Sequence, residues 1–180
     1  MMTEVVNMET ARLGLAVKRG YRNWRRQFQE DFGLETRLSD LSARTLALLC
    51  QGRDRSTFFI FDLIMNLKNL GSGLEFTDLN AKEKMALMDR YLFLLDRIRF
   101  EYMKRLGWLE EYPGEECSIV ELIIHYERLA PGLQAKIPQL SRDHAAYQEF
   151  CTMNAFEREE LIRKLIPKAL KAIQDHSTTL

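Results

Sequence analysis

The chain has 180 residues, of which 46% are hydrophobic and 29% are charged. That length suits one domain with a single core, and the composition excludes disordered and collagen-like proteins. The 26 basic and 26 acidic residues cancel, so no field of the whole molecule favours nucleic acid or an anionic membrane, and any such preference must be local.

The cysteines and the apolar runs predict a cytoplasmic protein. Three cysteines, Cys50, Cys117 and Cys151, cannot all pair within one chain, and free thiols are typical of a reducing compartment. The N-terminal segment lacks the cationic stretch followed by an apolar run that marks a secretory signal. The most apolar run, residues 58–67, is far shorter than the roughly 20 residues that a membrane-spanning helix needs. We therefore expect no membrane segment.

The first predicted element is a helix over about residues 8–31 with one apolar and one basic side. At 100° per residue, the apolar side holds Leu13, Val17, Gly20, Tyr21, Trp24 and Phe28. The opposite side holds Arg12, Lys18, Arg19, Arg22, Arg25 and Arg26. No acidic residue occurs between Thr10 and Gln29, so the rest of this neutral chain carries a compensating charge of minus six. Gly33 is expected to end the helix.

Two further helices are predicted before the middle of the chain. A short one follows Ser39 or Ser42 as its cap and stops at Gly52, and Asp54 is expected to cap a helix over about residues 54–70. Apolar side chains cover most of that second helix, apart from a narrow polar stripe of Arg55, Asp62, Asn66 and Asn69. Such a helix should be almost enclosed by its neighbours.

The longest predicted element is a central helix over about residues 81–107. Asn80 and Glu83 have the spacing of a capping box at its start, and Gly107 suits the left-handed position after its end. One half of the helix is apolar and is expected to be buried: Met85, Leu87, Met88, Tyr91, Leu92, Leu94, Leu95, Ile98, Tyr102, Met103 and Leu106. The other elements should pack around it.

Three more helices complete the prediction. Ser118 and Glu121 form a capping box before a helix that Pro131 and Gly132 should stop, and Ser141 should cap a short helix to about Cys151. A last helix covers about residues 155–176. No convincing period-two alternation predicts a strand. We therefore predict an all-α fold, a single-domain bundle of about seven helices over residues 1–180.

No residue pattern predicts catalysis, a metal or a cofactor. Glu121 and His125 lie one helical turn apart, but a zinc or di-iron site needs further ligands at matching spacing. Asp89 and Asp96 share one edge of the central helix and are interpreted as surface carboxylates. We therefore expect no enzyme, although a site whose residues converge only in three dimensions stays open.

Three side chains on the central helix need a partner. Arg99 falls among apolar residues, and its charge cannot be buried unpaired at low cost. Asp96 is its expected partner, with an acid from another helix or a bound anion as the alternatives. Phe93 and Phe100 lie on the polar side, so either another helix of the chain covers them or they form the interface of a homodimer.

The basic side of the first helix, chiefly Lys18, Arg19, Arg22, Arg25 and Arg26, is the candidate binding surface. It could pair with the acidic run from Glu110 to Glu121, within the chain or across a dimer. It could instead bind an acidic protein, nucleic-acid phosphates or, least favoured, a membrane. The aromatic side chains point to the core and are poorly placed to stack on bases. We predict a non-catalytic helical interaction or regulatory protein that self-associates, with a nucleic-acid-associated protein as the alternative.

Overall fold

The computed structural model describes residues 7–177, so part of the N-terminal segment used to judge a secretory signal lies outside it. These residues form helices almost throughout, which confirms the all-α class. The α-helices of the described range are α1 (Met8–Gly20), α2 (Arg22–Phe28), α3 (Ala43–Cys50), α4 (Arg55–Leu67), α5 (Ala81–Arg105), α6 (Ile119–Ile124), α7 (Tyr126–Gln134), α8 (Tyr147–Thr152) and α9 (Ala155–Ser177). Short 3₁₀ turns lie at Leu38–Asp40 and Gly73–Asp78.

The predicted first helix is in fact two helices, because the helical conformation is interrupted at Tyr21. The second helix ends at Phe28 instead of near Gly33. Gln29 adopts the left-handed conformation, with φ of 56°. The predicted apolar side is buried at Val17, Gly20, Tyr21, Trp24 and Phe28, and its remaining member, Leu13, is half-buried. A Cβ atom on Gly20 would lie 2.8 Å from Leu63 Cδ1, so this glycine lets α1 approach α4 closely.

The helix predicted over about residues 54–70 is α4, and its neighbours enclose it as expected. The indole Nε1 of Trp24 donates to the backbone carbonyl of Phe59 at 2.9 Å, which ties α2 to α4. Asp62 is buried, and its carboxylate accepts hydrogen bonds from Asn23 Nδ2 at 3.0 Å and from the backbone N–H of Gly73 at 2.8 Å. The expected cap by Asp54 is wrong, since that side chain forms no capping hydrogen bond and its φ is 52°.

The central helix α5 begins and ends as predicted. Asn80 Oδ1 accepts from the N–H of Glu83 at 2.9 Å, Glu83 accepts in return from the N–H of Asn80, and Gly107 has a φ of 78°. The predicted buried half is only partly correct. Three of its members are exposed, namely Met85, Met88 and Leu92, whereas five residues of the expected polar side are buried, namely Arg90, Phe93, Arg97, Phe100 and Glu101. The cause is that neighbours cover α5 from two sides, and no single-helix pattern can show this.

The last third of the chain departs from prediction at two points. Pro131 does not stop its helix, because α7 starts anew after His125 and continues to Gln134. The carbonyl that Pro131 leaves unpaired belongs to Glu127, which is exposed to water. A small antiparallel sheet also forms, in which β1 (Leu109–Glu111) pairs with β2 (Gln139–Leu140). The helix expected after Ser141 begins only at Tyr147.

Buried side chains form two clusters along α5. The first joins α1, α2, α3 and α4 to the N-terminal part of α5 and to α6 and α7. The second joins the C-terminal part of α5 to the strands, α8 and α9. With α1 and α2 packed by their apolar sides onto the first cluster, their basic sides face away from it.

Candidate functional site

The basic surface is the exposed side of α1 and α2, and we define it by Arg12, Leu15, Lys18, Arg19, Arg22 and Arg26. All six are exposed, including Leu15, whose relative exposure of 55% is high for a leucine. Four of these cations, Lys18, Arg19, Arg22 and Arg26, line one shallow depression together with Leu15 and Arg25. Arg12 and Arg19 line the adjoining one, beside Asn66 and Asn69. The cations therefore form one continuous surface around an apolar residue.

Arg25 is one of the predicted basic residues, but its guanidinium forms hydrogen bonds with the backbone of its own chain. Its Nη1 donates to the carbonyl of Lys18 at 3.0 Å, and its Nη2 donates to the carbonyl of Phe32 at 2.6 Å. These bonds hold the α1–α2 junction against the chain that follows α2. We therefore exclude Arg25 from the basic surface.

The basic side does not pair with the acidic run within the described part of one molecule, whereas their pairing across a dimer stays a prediction. Within residues 7–177, no ion pair involves any member of the basic surface. Glu115 instead binds Lys104 Nζ at 2.7 Å, and Glu121 accepts from the backbone N–H of Ser118 at 2.8 Å within its capping box. Two members of the acidic run thus have local partners, and five exposed cations keep no acidic partner in the described part of the chain.

Phe93 and Phe100 are not an interface between subunits. Their relative exposures are 2% and 7%, and both rings lie in the core of their own chain. Phe93 contacts the Tyr126 ring edge to face, with ring centres 5.4 Å apart, and Phe100 lies 6.2 Å from Tyr112. The covering element is therefore the chain itself, which was the other alternative drawn from the sequence.

The expected pairing of Arg99 with Asp96 is also wrong. Arg99 Nε donates to the backbone carbonyl of Cys50 at 3.1 Å, at the C-terminal end of α3, where the helix dipole favours a cation. Asp96 lies 3.9 Å from Arg163 on α9. Burial raises the pKa of Asp96, since the charged form loses water and this distant pairing offsets the loss only in part.

Sequence reasoning missed a set of buried charges on α5. Glu101 accepts from the Tyr112 hydroxyl at 2.8 Å and from Arg105 Nε at 3.1 Å. Arg90 binds Glu127 and lies over the Tyr126 ring. Arg97 lies over the rings of Phe93 and Phe100. The one available signal was the spacing of these phenylalanines, one helical turn on either side of Arg97, since aromatic faces attract a guanidinium.

The three cysteines are free, and two of them, Cys50 and Cys117, have thiols of raised pKa. Cys50 is buried and its Sγ donates to the carbonyl of Ile98 at 3.6 Å, while burial raises the pKa of Cys50 to about 12. Burial and nearby carboxylates raise the pKa of Cys117 as well. Reactive thiols require the opposite shift.

Residues 7–177 contain neither a group of metal ligands nor a membrane-spanning helix. Between residues 7 and 177, no three histidine, cysteine, aspartate or glutamate side chains are grouped so that they could hold a metal ion. Over the same range, no helix is long and apolar enough to cross a bilayer.

Comparisons of the chain with protein-family models, with curated proteins and with solved structures return no match. The basic surface must therefore be interpreted from its own residues.

Proposed function

We propose that this protein is a non-catalytic interaction protein whose basic surface binds an acidic segment of another protein. The observation that carries the proposal is the group of five exposed cations around Leu15, which have no acidic partner within residues 7–177. Clustered cations of this kind attract an anionic surface and speed its encounter.

The composition of the basic surface favours a protein over a nucleic acid. Along one side of α1 and α2, apolar and cationic residues follow each other at helical spacing, in the order Met8, Arg12, Leu15, Arg19, Arg22 and Arg26. An apolar centre with a charged rim is the usual anatomy of a protein interface. The aromatic residues of these helices, Tyr21, Trp24 and Phe28, are buried and cannot stack on bases. An amphipathic acidic helix offers the matching pattern.

The test compares two peptides and duplex DNA as probes of the full chain. We expect a helical peptide with leucines on one side and glutamates flanking them to bind, and a glutamate-free glutamine analogue not to bind. Substituting Lys18, Arg19, Arg22 and Arg26 by glutamine should weaken peptide binding by at least about tenfold, because each exposed charge pair contributes up to about 1 kcal/mol. Fluorescence anisotropy measures the dissociation constants, and circular dichroism checks the fold.

A matched control variant changes the net charge by the same amount, but at four cations outside the basic surface. The exposed cations Arg44, Arg128, Lys168 and Lys171 lie outside the basic surface, and their fourfold glutamine variant should bind the peptide as the wild type does. Equal weakening in both variants would show a nonspecific charge effect and contradict the proposal. Tight binding of duplex DNA, with a log-log salt slope of about 0.9 per phosphate neutralised, would support the nucleic-acid alternative instead.

Self-association is a second proposal, now supported by a different surface from the one expected. Met85, Met88 and Leu92 are exposed on one side of α5. An antiparallel two-fold pairing of α5 centred near Met85 brings Lys82 of each chain beside Asp89 of the other, since the two residues lie two turns apart on the same edge. Such a pairing buries Met85 and Met88 against the other α5, brings Leu92 against the residues just before the other α5, and matches opposite charges.

Light scattering tests this pairing. We expect the wild type to reach the mass of a dimer at micromolar concentration, and the Met85→Ser, Leu92→Ser double variant to stay monomeric with unchanged helical circular dichroism. The exposed Leu74 provides the control, because Leu74→Ser should leave the dimer intact. A wild type that stays monomeric at the highest soluble concentration rules out the pairing.

A further inference from the structure

A small cavity lies between α5, α9 and the segment that links α7 to β2, away from the basic surface. Its volume is about 120 Å³. The apolar part of its wall is formed by Phe100, Ile137, Pro138 and Ile162.

Arg97 lines this cavity, and its buried charge is offset in part by the nearby Asp96 carboxylate but by no close ion pair in the described part of the chain. Its relative exposure is 3%, and no ion pair within residues 7–177 involves it. Nη1 donates to the carbonyl of Pro113 at 3.1 Å, and Nε is buried without a hydrogen-bond partner. Nη2 has no hydrogen bond to another described residue and is not among the fully covered atoms, so it is the donor left for a ligand.

The other contacts of Arg97 are weaker than an ion pair. The guanidinium carbon lies 4.8 Å from the centre of the Phe93 ring and 5.3 Å from that of Phe100. Burial lowers the pKa of Arg97, because the charged form is poorly solvated there. Buried guanidinium groups usually have a carboxylate or phosphate partner.

The remaining charges around the cavity set the charge of the ligand. Lys136 and Arg163 add two cations, and Asp96 and Glu159 add two anions. Arg163 lies close to both acids, 3.3 Å from Glu159 and 3.9 Å from Asp96, whereas Lys136 forms no ion pair in the described part of the chain. With Arg97 the lining carries one net positive charge, which suits a monovalent anion better than a divalent phosphate.

We propose that this cavity binds a short-chain monocarboxylate, with the carboxylate on Arg97 Nη2 and Lys136 and the short apolar body against Phe100 and Ile162. A carboxylate oxygen accepts strong hydrogen bonds from a guanidinium, and the apolar wall selects for a hydrocarbon tail. The cavity is far below the several hundred Å³ of sites for nucleotide-sized or drug-sized ligands.

The experiment titrates the full chain with butyrate and follows backbone amide shifts by nuclear magnetic resonance at constant ionic strength. We expect saturable shifts that cluster at Arg97, Phe100, Ile137 and Ile162, with a millimolar dissociation constant, as a ligand of about six non-hydrogen atoms allows. Acetate should bind more weakly, because it lacks the tail. Butylamine has a similar tail and the opposite charge, and it should not bind.

Two variants at the cavity separate binding from folding. Arg97→Met keeps the length and apolar contacts of the stem, and it should abolish the butyrate shifts while the chain stays folded. Lys136→Gln changes an exposed side chain, and it should weaken binding about threefold to fivefold. Lys171→Gln, the same change on an exposed part of α9, should leave the dissociation constant unchanged. Asp96→Asn removes one negative charge from the lining and should tighten binding.

Several results would overturn the proposal. One is a wild type without localised shifts at tens of millimolar butyrate. Another is equal shifts with phosphate, chloride or butylamine, because these would show a general salt effect or a site without charge selection. If Arg97→Met does not fold, the decision rests on Lys136→Gln against Lys171→Gln, and equal affinity of those two variants contradicts the assigned carboxylate position.

Discussion

Two buried tyrosines differ in whether the hydroxyl group has a hydrogen-bond partner, and this difference decides whether the hydroxyl stabilises or destabilises the fold. The Tyr21 side chain is fully buried between α1 and α2, and its hydroxyl has no hydrogen-bond partner in the structure. The Tyr112 hydroxyl is also buried, but it donates to Glu101 at 2.8 Å. Burial raises the pKa of both phenols, and at Tyr112 the negative charge of Glu101 raises it further.

We therefore predict opposite effects of the same substitution. Tyr21→Phe removes a buried hydroxyl that lacks a partner and should raise the free energy of unfolding by about 1 kcal/mol. Tyr112→Phe removes a hydrogen bond to a charged acceptor and should lower it by about 2 kcal/mol. Urea denaturation followed by circular dichroism measures both, each serving as the control for the other. A loss of stability in Tyr21→Phe would show that its hydroxyl has a partner, such as a buried water.

At this residue scale, the sequence predicted what depends on near neighbours. The capping pairs Asn80 with Glu83 and Ser118 with Glu121 are confirmed, because both partners lie within one helical turn. The partner of Arg99 could not be predicted, since the carbonyl of Cys50 lies 49 positions earlier in the chain. For the same reason, the cavity at Arg97 had no signal beyond two neighbouring phenylalanines.

The C-terminal end of α1 lies at a packing contact with α4, which helix periodicity in the sequence does not predict. Sequence periodicity runs unbroken through Tyr21, so it predicted one helix over about residues 8–31. The structure ends α1 where Gly20 touches α4, with the carbonyl of Leu63 3.4 Å from the position that a Cβ would take. Gly14, on the same helix, has no atom within 4 Å of that position. One glycine is thus required by a contact and the other is not.

Alanine substitutions distinguish these two glycines. Gly14→Ala should raise the free energy of unfolding by about 1 kcal/mol through helix propensity alone. Gly20→Ala gains the same propensity but pushes a methyl group to 2.8 Å from Leu63 Cδ1, and we expect a net loss of about 1 to 2 kcal/mol. Thermal denaturation checks the pair. An equal gain in both variants would mean that α1 can move away from α4 without cost.

At the scale of the whole molecule, the elements packed around α5 determine which of its residues are buried, and the sequence of α5 alone does not contain this information. A single amphipathic face was expected, but the N-terminal half exposes Met85, Met88 and Leu92, and the C-terminal half is covered from both sides. Glu101 and Arg97 are buried there because Tyr112 and Pro113, beyond the end of α5, supply their partners. The basic surface was found because it needs no partner from a distant element, whereas the cavity at Arg97 needs α9 and the segment between α7 and β2.

Because Phe93 and Phe100 are buried, replacing both by serine should have a different effect from the one that the dimer hypothesis predicts. Had these rings formed a dimer interface, serine in their place would give a folded monomer. In the core of their own chain, each loss should cost about 3 to 5 kcal/mol, a large part of the 5 to 15 kcal/mol that stabilises a typical domain. The double variant should therefore lose its cooperative thermal transition. Phe156 is exposed, so Phe156→Ser should change the free energy of unfolding by less than about 0.5 kcal/mol. A double variant that melts like the wild type would show that α6, α7 and the β1 region do not hold these rings, and that this side of α5 is open to another chain.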